Sequence, residues 1–311
     1  MDFSNAQGVL LGYATVTVIA AVGYSLRRFG IFGPEAQATL NRLCYYVLSP
    51  ALYIVLLTET DIELMLGAFT GASLLAMVIA MALAAICYLP QRRQLGADNM
   101  TLMIGSVAYA NTGNIGIPLS LITFGTASYM VPPMLIQVLI LSPVILLILG
   151  FLRGPRTSVW RSIVMPWINP IIIAAIVGLV MALNHWELPE LLHRPIDMLG
   201  QASIPALVLT FGMSIFGARP FRKHEFTYSV WVAIIFKVLI LPLITWWVGA
   251  ALFQMQGEIL VALVITAALP GAQSIFNYAM QFRANEGNIR DMVLISTVIS
   301  IPIMVGFALI V

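Results

Sequence analysis

Two short segments, one in each half of the chain, place glycine, proline and uncharged polar side chains inside strongly apolar stretches. The first is Asn111–Pro118, which reads Asn-Thr-Gly-Asn-Ile-Gly-Ile-Pro, and the second is Leu269–Ser274, which reads Leu-Pro-Gly-Ala-Gln-Ser. A proline removes one backbone N–H and clashes with the carbonyl four residues before it, so each segment is expected to break a helix. These residue types can bind a solute through hydrogen bonds, and none of them is an activated nucleophile.

An anion is the solute that such breaks are suited to bind. The second half of each broken helix would begin at the break, so its free N–H groups and the positive end of its dipole would face the same point. Alternatively, the polar side chains only satisfy the broken helices' own backbone groups. The candidate substrate-binding residues are Asn111, Thr112, Gly113, Asn114, Pro270, Gly271, Gln273 and Ser274, and Gly116 and Pro118 are candidates for shaping the crossover.

The elements that carry these segments are predicted to be membrane-spanning helices. Hydrophobic residues make up 60% of the chain and charged residues 9%, whereas soluble domains contain about 25% charged residues. Residues 99–152 contain no Asp, Glu, Lys or Arg, and a run of this length corresponds to about two spans of ~20 residues. The two cysteines lie in apolar segments and the three histidines lack ligand spacing. We therefore expect no metal, no cofactor and no catalytic set.

Ten apolar stretches are predicted to cross the bilayer. They are residues 8–26, 38–58, 65–89, 100–124, 129–151, 165–184, 196–217, 227–253, 259–282 and 292–311. Most basic residues fall in the odd-numbered loops, namely Arg27, Arg28, Arg92, Arg93, Arg153, Arg156, Arg161, Arg219, Arg222, Lys223, Arg283 and Arg290. The positive-inside rule makes these loops cytoplasmic, so both termini should lie outside the cytoplasm, in a cell inner membrane.

Ten spans divide into two halves of five, and an odd number of spans per half gives the halves opposite orientations. We predict an all-α integral membrane protein with a first repeat at residues 1–151 and an inverted second repeat at residues 165–311. Prolines recur in corresponding spans and in the same order, which is typical of an inverted repeat with a binding site at the bilayer midplane. Ordinary proline kinks in a helical bundle are the alternative. The pairs are Pro50 with Pro205, Pro118 with Pro270, and Pro143 with Pro302.

Lys237 is the one ionisable residue that the sequence places deep in a span, with no Asp, Glu or His at the same depth. A charge at membrane depth is costly and is a functional candidate by default. Lys237 could pair with a substrate carboxylate, or it could replace a bound cation and hold the crossover together by donating to backbone carbonyls. Its long stem could also extend toward a polar cavity without any other role.

Three motifs together resemble the auxin efflux carrier family, whose bacterial members include malonate and malate permeases. They are Asn111–Pro118, Asn169-Pro170 and Ala268–Pro270, and the resemblance covers essentially the whole chain. It implies a scaffold domain of spans 1, 2, 6 and 7, a transport domain of spans 3–5 and 8–10, and an elevator-type movement. It also implies an organic-anion substrate, with Asn111 at its carboxylate and Asn169 lining the site. A homodimer through the scaffold is plausible from the same resemblance.

The expected partners are a small organic anion, as a mono- or dicarboxylate, and the lipid bilayer, with no nucleic acid. The alternative function is a sodium-coupled organic-anion symporter of the bile-acid type, which shares the broken-helix design. A membrane receptor that binds a ligand without moving it is a more distant possibility. The lack of acidic residues at depth argues against a cation/proton antiporter, since proton coupling usually uses a membrane carboxylate or histidine.

Overall fold

The computed structural model describes residues 3–153, 168–216 and 228–311, and these residues form helices joined by short turns, with no β-strand. In chain order the helices are α1 (Phe3–Arg28), α2 (Pro34–Glu59), α3 (Ile62–Leu66), α4 (Ala68–Tyr88), α5 (Arg92–Ala108), α6 (Thr112–Phe124), α7 (Ser128–Leu152), α8 (Pro170–Leu183), α9 (Glu190–Ile215), α10 (Tyr228–Leu252), α11 (Gly257–Ala268), α12 (Gln273–Phe282) and α13 (Glu286–Ile310). Arg156, Arg161, Arg219, Arg222 and Lys223 lie outside the described residues.

Seven helical stretches in the described chain are long and apolar enough to cross a membrane. One of them, residues 62–108, comprises α3, α4 and α5 and departs from α-helical geometry at Gly67, at the 3₁₀ turn Leu89–Gln91 and at a kink at Gly96 within α5. Helices α6, α8 and α11 are apolar but shorter. The predicted all-helical membrane protein is confirmed, whereas the predicted ten spans cannot be counted from helix length, because a broken span is divided into two short helices.

Several helices begin before the apolar stretch that predicted them. Helix α9 begins at Glu190 and not at residue 196, and α13 begins at Glu286 and not at residue 292. The physical reason is that apolar residues mark the part of a helix that avoids water. Backbone hydrogen bonding continues into the polar residues at either end, where an acidic first turn is favourable beside the helix N-terminus.

Wide π-helical turns precede prolines at four positions of the described chain. Each of these turns ends two residues before a proline, and the residue between them begins the next α-helical segment. The turns are Cys44–Leu48, Thr112–Gly116, Ile136–Leu141 and Phe236–Ile240. A proline has no N–H for the preceding turn, and its ring would press on the carbonyl four residues back. Widening the turn removes that clash while the helix continues, so these prolines do not terminate their helices.

The described helices form two groups that share one boundary. Helices α1, α2, α8 and α9 are joined by packing of α9 on α1 and on α2 and of α8 on α2, while α1 also packs on α6 and α13 of the other group. A large apolar core is formed by residues of α4, α5, α7 and α10 to α13, extending from Phe69 to Ile295. A second core, which includes Val9, Ile117 and Ile265, lies where α1 and α9 meet α6, α11 and α13. The broken helices therefore lie at the boundary between the two groups.

Helices α1 and α9 approach each other at backbone distance. A Cβ atom placed on Gly212 would collide with the carbonyl oxygen of Ala20, and one placed on Gly23 would collide with the carbonyl oxygen of Leu209. A neighbouring backbone cannot move aside as a flexible side chain can. The absence of a side chain at these two glycines is therefore a condition for the close packing of α1 and α9.

Gly212→Ala should therefore lower the thermal unfolding temperature of the purified protein in detergent, because overpacking against a backbone costs about 1–3 kcal/mol. Gly306→Ala is the matched control, since Gly306 also lies within a helix but has no atom within 4 Å of its added Cβ. This control should be neutral or stabilising, because alanine is the better helix former by ~1 kcal/mol. Equal unfolding temperatures for the two variants would contradict the backbone contact.

Candidate substrate site

The two broken helices meet and pair through their backbones. The first break separates α5 from α6, the second separates α11 from α12, and an isolated antiparallel bridge joins them. The N–H of Asn111 donates to the carbonyl oxygen of Pro270 at 2.9 Å, and the N–H of Ala272 donates to the carbonyl oxygen of Tyr109 at 3.1 Å. Each break thus supplies partners for backbone groups that the other break has exposed, as buried polar groups require. We call this region the crossing.

Asn111 occupies the turn that begins α6. Its side-chain Oδ1 accepts the N–H of Asn114 at 3.3 Å, and its carbonyl oxygen accepts the N–H of Gly116 at 3.0 Å. The side chain is buried, with 4% exposed, and its Nδ2 has no hydrogen-bond partner among the described residues. A buried donor without a partner is costly, so it marks a position where a ligand acceptor would be favourable.

Further donors lie at the starts of the two second half-helices. The backbone N–H groups of Gly113, Gln273 and Ser274 have no acceptor among the described residues. The side chains of Asn114, Gln273 and Ser274 are half-buried, and Thr112 is buried. Both helix N-termini also present the positive ends of their dipoles. The predicted polar residues of both breaks are therefore brought to the same crossing.

Two glycines allow the crossing to close. A Cβ on Gly116 would lie 2.7 Å from the Sδ of Met130 and 2.9 Å from the Cδ1 of Leu269, so even alanine would be overpacked there. A Cβ on Gly271 would lie 2.8 Å from the Sδ of Met292. The N–H of Gly271 donates to the Oγ of Ser296 at 3.0 Å, which the sequence analysis did not anticipate.

Lys237 lies on the π-helical turn of α10 and is fully buried, with 0% exposed. Its Nζ donates to the carbonyl oxygen of Ala267 at 3.2 Å. Ala267 belongs to the last turn of α11, immediately before the break, where helix carbonyls lack intrahelical partners. The ammonium group therefore satisfies a carbonyl at the negative end of a half-helix dipole. No described carboxylate lies within ion-pair distance of it.

A second buried ionisable residue lies closer to the start of its helix than Lys237 does. Asp291 lies in α13 and is buried, with 1% exposed. Its Oδ1 accepts hydrogen bonds from Arg290 at 3.1 Å, and its Oδ2 has no partner among the described residues. The sequence analysis missed it because the apolar stretch begins at residue 292, whereas the helix begins at Glu286.

Asn169, Pro50 and Pro205 stand apart from the paired backbones. The Oδ1 of Asn169 accepts the N–H of Ile171 at 2.9 Å, which caps the N-terminus of α8 in the ordinary way. Pro50 and Pro205 lie in α2 and α9, which pack on each other. Helix α9 also reaches the crossing, since the Cδ1 of Leu207 lies 3.8 Å from the position of a Cβ on Gly113.

Polar residues outside the two sequence motifs include a group that begins at the crossing. Hydroxyl groups of Tyr109, Ser142 and Tyr278 contact one another. Elsewhere in α7, Gln137 is buried, with 3% exposed, and its Nε2 has no partner among the described residues. Tyr109 is the first residue after α5, two residues before Asn111, and could have been found from that position. Ser142 and Gln137 gave no signal, because each is an isolated polar residue in a long apolar run.

This arrangement presents uncharged hydrogen-bond donors at the place where the two breaks meet. Within the described residues no set of three His, Cys, Asp or Glu side chains could hold a metal ion. A pair of interrupted helices that meet inside an apolar bundle is the construction of a membrane transport protein, in which irregular backbone lines a binding cavity.

Comparison with known proteins agrees with that class. A family model described as "Membrane transport protein" matches residues 9–158 and 156–308. The chain therefore belongs to this family, the auxin efflux carrier family, and is a transporter rather than an enzyme. It is also 25% identical to a protein of Rhizobium meliloti (strain 1021) named "Putative malonate transporter", over 96% of this chain and 91% of that protein.

Proposed function

We propose that this protein is a secondary transporter of a small organic anion, a mono- or dicarboxylate, which binds at the crossing and moves by alternating access. The observation that carries the proposal is the presence of unpartnered donors there. The carbonyl oxygens of Tyr109, Pro270 and Ala267 are occupied by protein donors. The Nδ2 of Asn111 and the N–H of Gly113 remain unpartnered donors. A site rich in donors favours an anion.

The neutrality of these donors suits a carrier. Neutral N–H groups can hydrogen-bond a carboxylate and still release it. A buried cation paired with the carboxylate would hold the substrate for longer. The name of the Rhizobium meliloti relative, which specifies malonate, supports the carboxylate class. Asn111 is the proposed contact to the carboxylate, with Thr112, Asn114 and Gln273 around it. Asn169 is proposed to line the site from the start of α8.

The proposed architecture has ten spans in two inverted repeats, with α5/α6 and α11/α12 as the two broken spans. Helices α1, α2, α8 and α9 would form the scaffold, and the remaining spans would form the transport domain. The large apolar core of the second group, which contains no residue of α1, α2, α8 or α9, supports this assignment. Elevator-type movement would carry the crossing past α9 and α1. A homodimer through the scaffold would hold that domain still in the bilayer.

Asn111→Ala should weaken carboxylate binding by about 10- to 100-fold, because a hydrogen bond to a charged group contributes about 1.5–3 kcal/mol. The measurement is substrate-induced thermal stabilisation of the purified protein over a series of mono- and dicarboxylates. Asn184→Ala is the matched control, since Asn184 caps the exposed end of α8, where its Nδ2 donates to the carbonyl of Val180. Wild-type affinity in Asn111→Ala would exclude the crossing as the anion site.

The sodium-coupled alternative can be tested through Lys237, which we propose replaces a bound cation at the end of α11. Carboxylate binding by the wild-type protein should be the same in sodium and in choline buffers. Lys237→Met should lower the unfolding temperature or the transport rate, because the carbonyl of Ala267 loses its donor. Lys237→Arg keeps the charge and should retain more activity. A requirement for sodium in the wild-type protein would instead support a symporter of the bile-acid type.

The proposed orientation places both termini outside the cytoplasm of a cell whose inner membrane holds the protein. Glu187 and Arg93 are both exposed. In the proposed topology Glu187 lies on the outer side of the membrane and Arg93 on the cytoplasmic side. In a background where Cys44 and Cys87 are replaced by alanine, Glu187→Cys should react with an impermeant thiol reagent added to intact cells. Arg93→Cys should react only after the cells are opened. The reverse pattern would invert the topology.

A further inference from the structure

Helix α12 carries a polar face that the rest of the protein leaves uncovered. Asn277 and Gln281 are exposed, whereas Ile275 and Ala279 on the opposite side are 0% exposed, where α12 packs on α13 and α5. The polar residues recur three and four positions apart and therefore share one side of the helix. They are Gln273, Ser274, Asn277, Tyr278 and Gln281. We call this side of α12 the polar face.

The other three half-helices of the crossing have no such exposed polar side. Residues 260–268 of α11 are buried, and residues 102–108 of α5 are buried apart from the half-buried Ile104. Helix α6 exposes Leu121 and Ile122, while its Ser120 is buried and donates to the carbonyl oxygen of Thr126. Within two turns of the crossing, Asn277 is therefore the one exposed polar side chain of the four half-helices.

Hydrocarbon is an unsuitable environment for the polar face. Asn277 lies four residues after Gln273, so it is about 6 Å along the helix from the crossing at 1.5 Å per residue. With the crossing near the midplane, this position is still inside a hydrocarbon core about 30 Å thick. An amide exposed to lipid there would lose its hydrogen bonds to water. The exposed residues Leu121 and Ile122 of α6, by contrast, are suited to lipid.

The scaffold helices α1 and α8 occupy corresponding places in the two proposed repeats. A Cβ on Gly23 of α1 would collide with the backbone of Leu209 in α9, and one on Gly178 of α8 would lie 3.0 Å from the Cβ of Leu57 in α2. Each helix thus packs through a glycine on a leucine in the second span of the other half. Exchange of the repeats relates the two contacts, which supports an inverted repeat.

Helices α1 and α8 nevertheless differ in which half-helix they cover. Helix α1 packs on α6, where a Cβ on Gly8 would lie 2.8 Å from the Cα of Thr123 and one on Gly12 would lie 2.5 Å from the Cδ1 of Leu119. Helix α8 makes no comparable contact with α12, which packs on α13, α5 and α7. Among the described residues, the scaffold therefore covers one side of the crossing and leaves the other uncovered.

We propose that the polar face of α12 is the wall of a water-filled passage between the cytoplasm and the crossing, and that this conformation is closed toward the outer side. The inference rests on the proposed function and its topology, and it names the side from which a hydrated solute enters. In that topology α6 and α11 lie on the outer side, and α12 descends to the cytoplasmic Arg283. Asn277 and Gln281 line the passage.

Cysteine accessibility tests the passage in the full-length protein and requires no substrate. In the background where Cys44 and Cys87 are replaced by alanine, Asn277→Cys should react with an impermeant, anionic methanethiosulfonate reagent at the cytoplasmic face of inside-out vesicles. It should not react when the reagent is added to intact cells. Gln281→Cys, nearer the cytoplasmic end, should react in the same way and is the second variant if Asn277→Cys fails to fold.

Ala82→Cys is the matched control for exposure to lipid. Ala82 is also exposed, but it lies on α4 between Val78 and Ile86, which are 50% and 60% exposed and apolar. The reacting species is the thiolate, which apolar surroundings disfavour. Ala82→Cys should therefore react at least about tenfold more slowly than Asn277→Cys. Glu187→Cys and Arg93→Cys report the orientation of the protein in the same vesicles.

The outcomes separate the passage from the proposals on which it rests. Reaction of a folded Asn277→Cys no faster than that of Ala82→Cys would overturn the passage, even with Gln281→Cys reactive, and would leave the anion carrier standing. Reaction from the outer side alone, with Glu187→Cys also reactive there, would overturn the cytoplasmic direction. A reactive Asn277→Cys in a protein that no carboxylate stabilises would contradict the carboxylate function and keep the passage.

Discussion

The pairing of two broken backbones is the constraint on which the rest of this structure depends. A helix that opens inside an apolar bundle exposes N–H and C=O groups that water cannot reach, and each unmade hydrogen bond costs about 1–3 kcal/mol. Here the break after α5 and the break after α11 satisfy each other through Asn111 with Pro270 and Ala272 with Tyr109. Each break therefore depends on the other for partners of its exposed backbone groups.

The remaining groups at the crossing follow from the same constraint. Lys237 and Ser296 satisfy groups that the pairing leaves over, the first as a donor to Ala267 and the second as an acceptor from Gly271. In the proposed carrier, Lys237 takes the place of a bound cation at the end of α11. A mobile cation would have to enter and leave with each cycle, whereas Lys237 would move with its own helix.

The sequence was sufficient to locate the two breaks and the all-helical membrane class. Proline and glycine act locally on the backbone, so Asn111–Pro118 and Leu269–Ser274 could be identified from residue type alone. The contacts between distant segments could not, because they depend on which helix faces come together. Ser142 and Tyr109 are 33 residues apart and share no motif, yet their oxygens touch. Asp291 was missed for a different reason, since hydropathy marks the apolar part of α13 and not its helical start.

Whether a crossing of this kind can move depends on what joins the two packing groups. The first group consists of α1, α2, α8 and α9, and the second of the remaining described helices. Among the described residues, two hydroxyl-bearing residues of the first group make the hydrogen bonds to the second. Tyr13 contacts Ser300 at 2.9 Å and donates to the Sδ of Met304, and Thr60, just beyond α2, contacts Ser128 at 3.4 Å.

Apolar contact supplies the rest of this boundary, as in the core that contains Val9 and Ile117. Burial of apolar surface is non-directional, so it is retained when one surface slides along another, whereas a backbone contact such as Gly212 against Ala20 fixes the register. The contact of Gly212 with Ala20 lies within the proposed scaffold, but Gly8 of α1 also approaches the backbone of α6 across the boundary, where an added Cβ would lie 2.8 Å from the Cα of Thr123. The proposed movement would therefore have to separate this close backbone contact as well as apolar surface and hydroxyl bonds that contribute ~1 kcal/mol each.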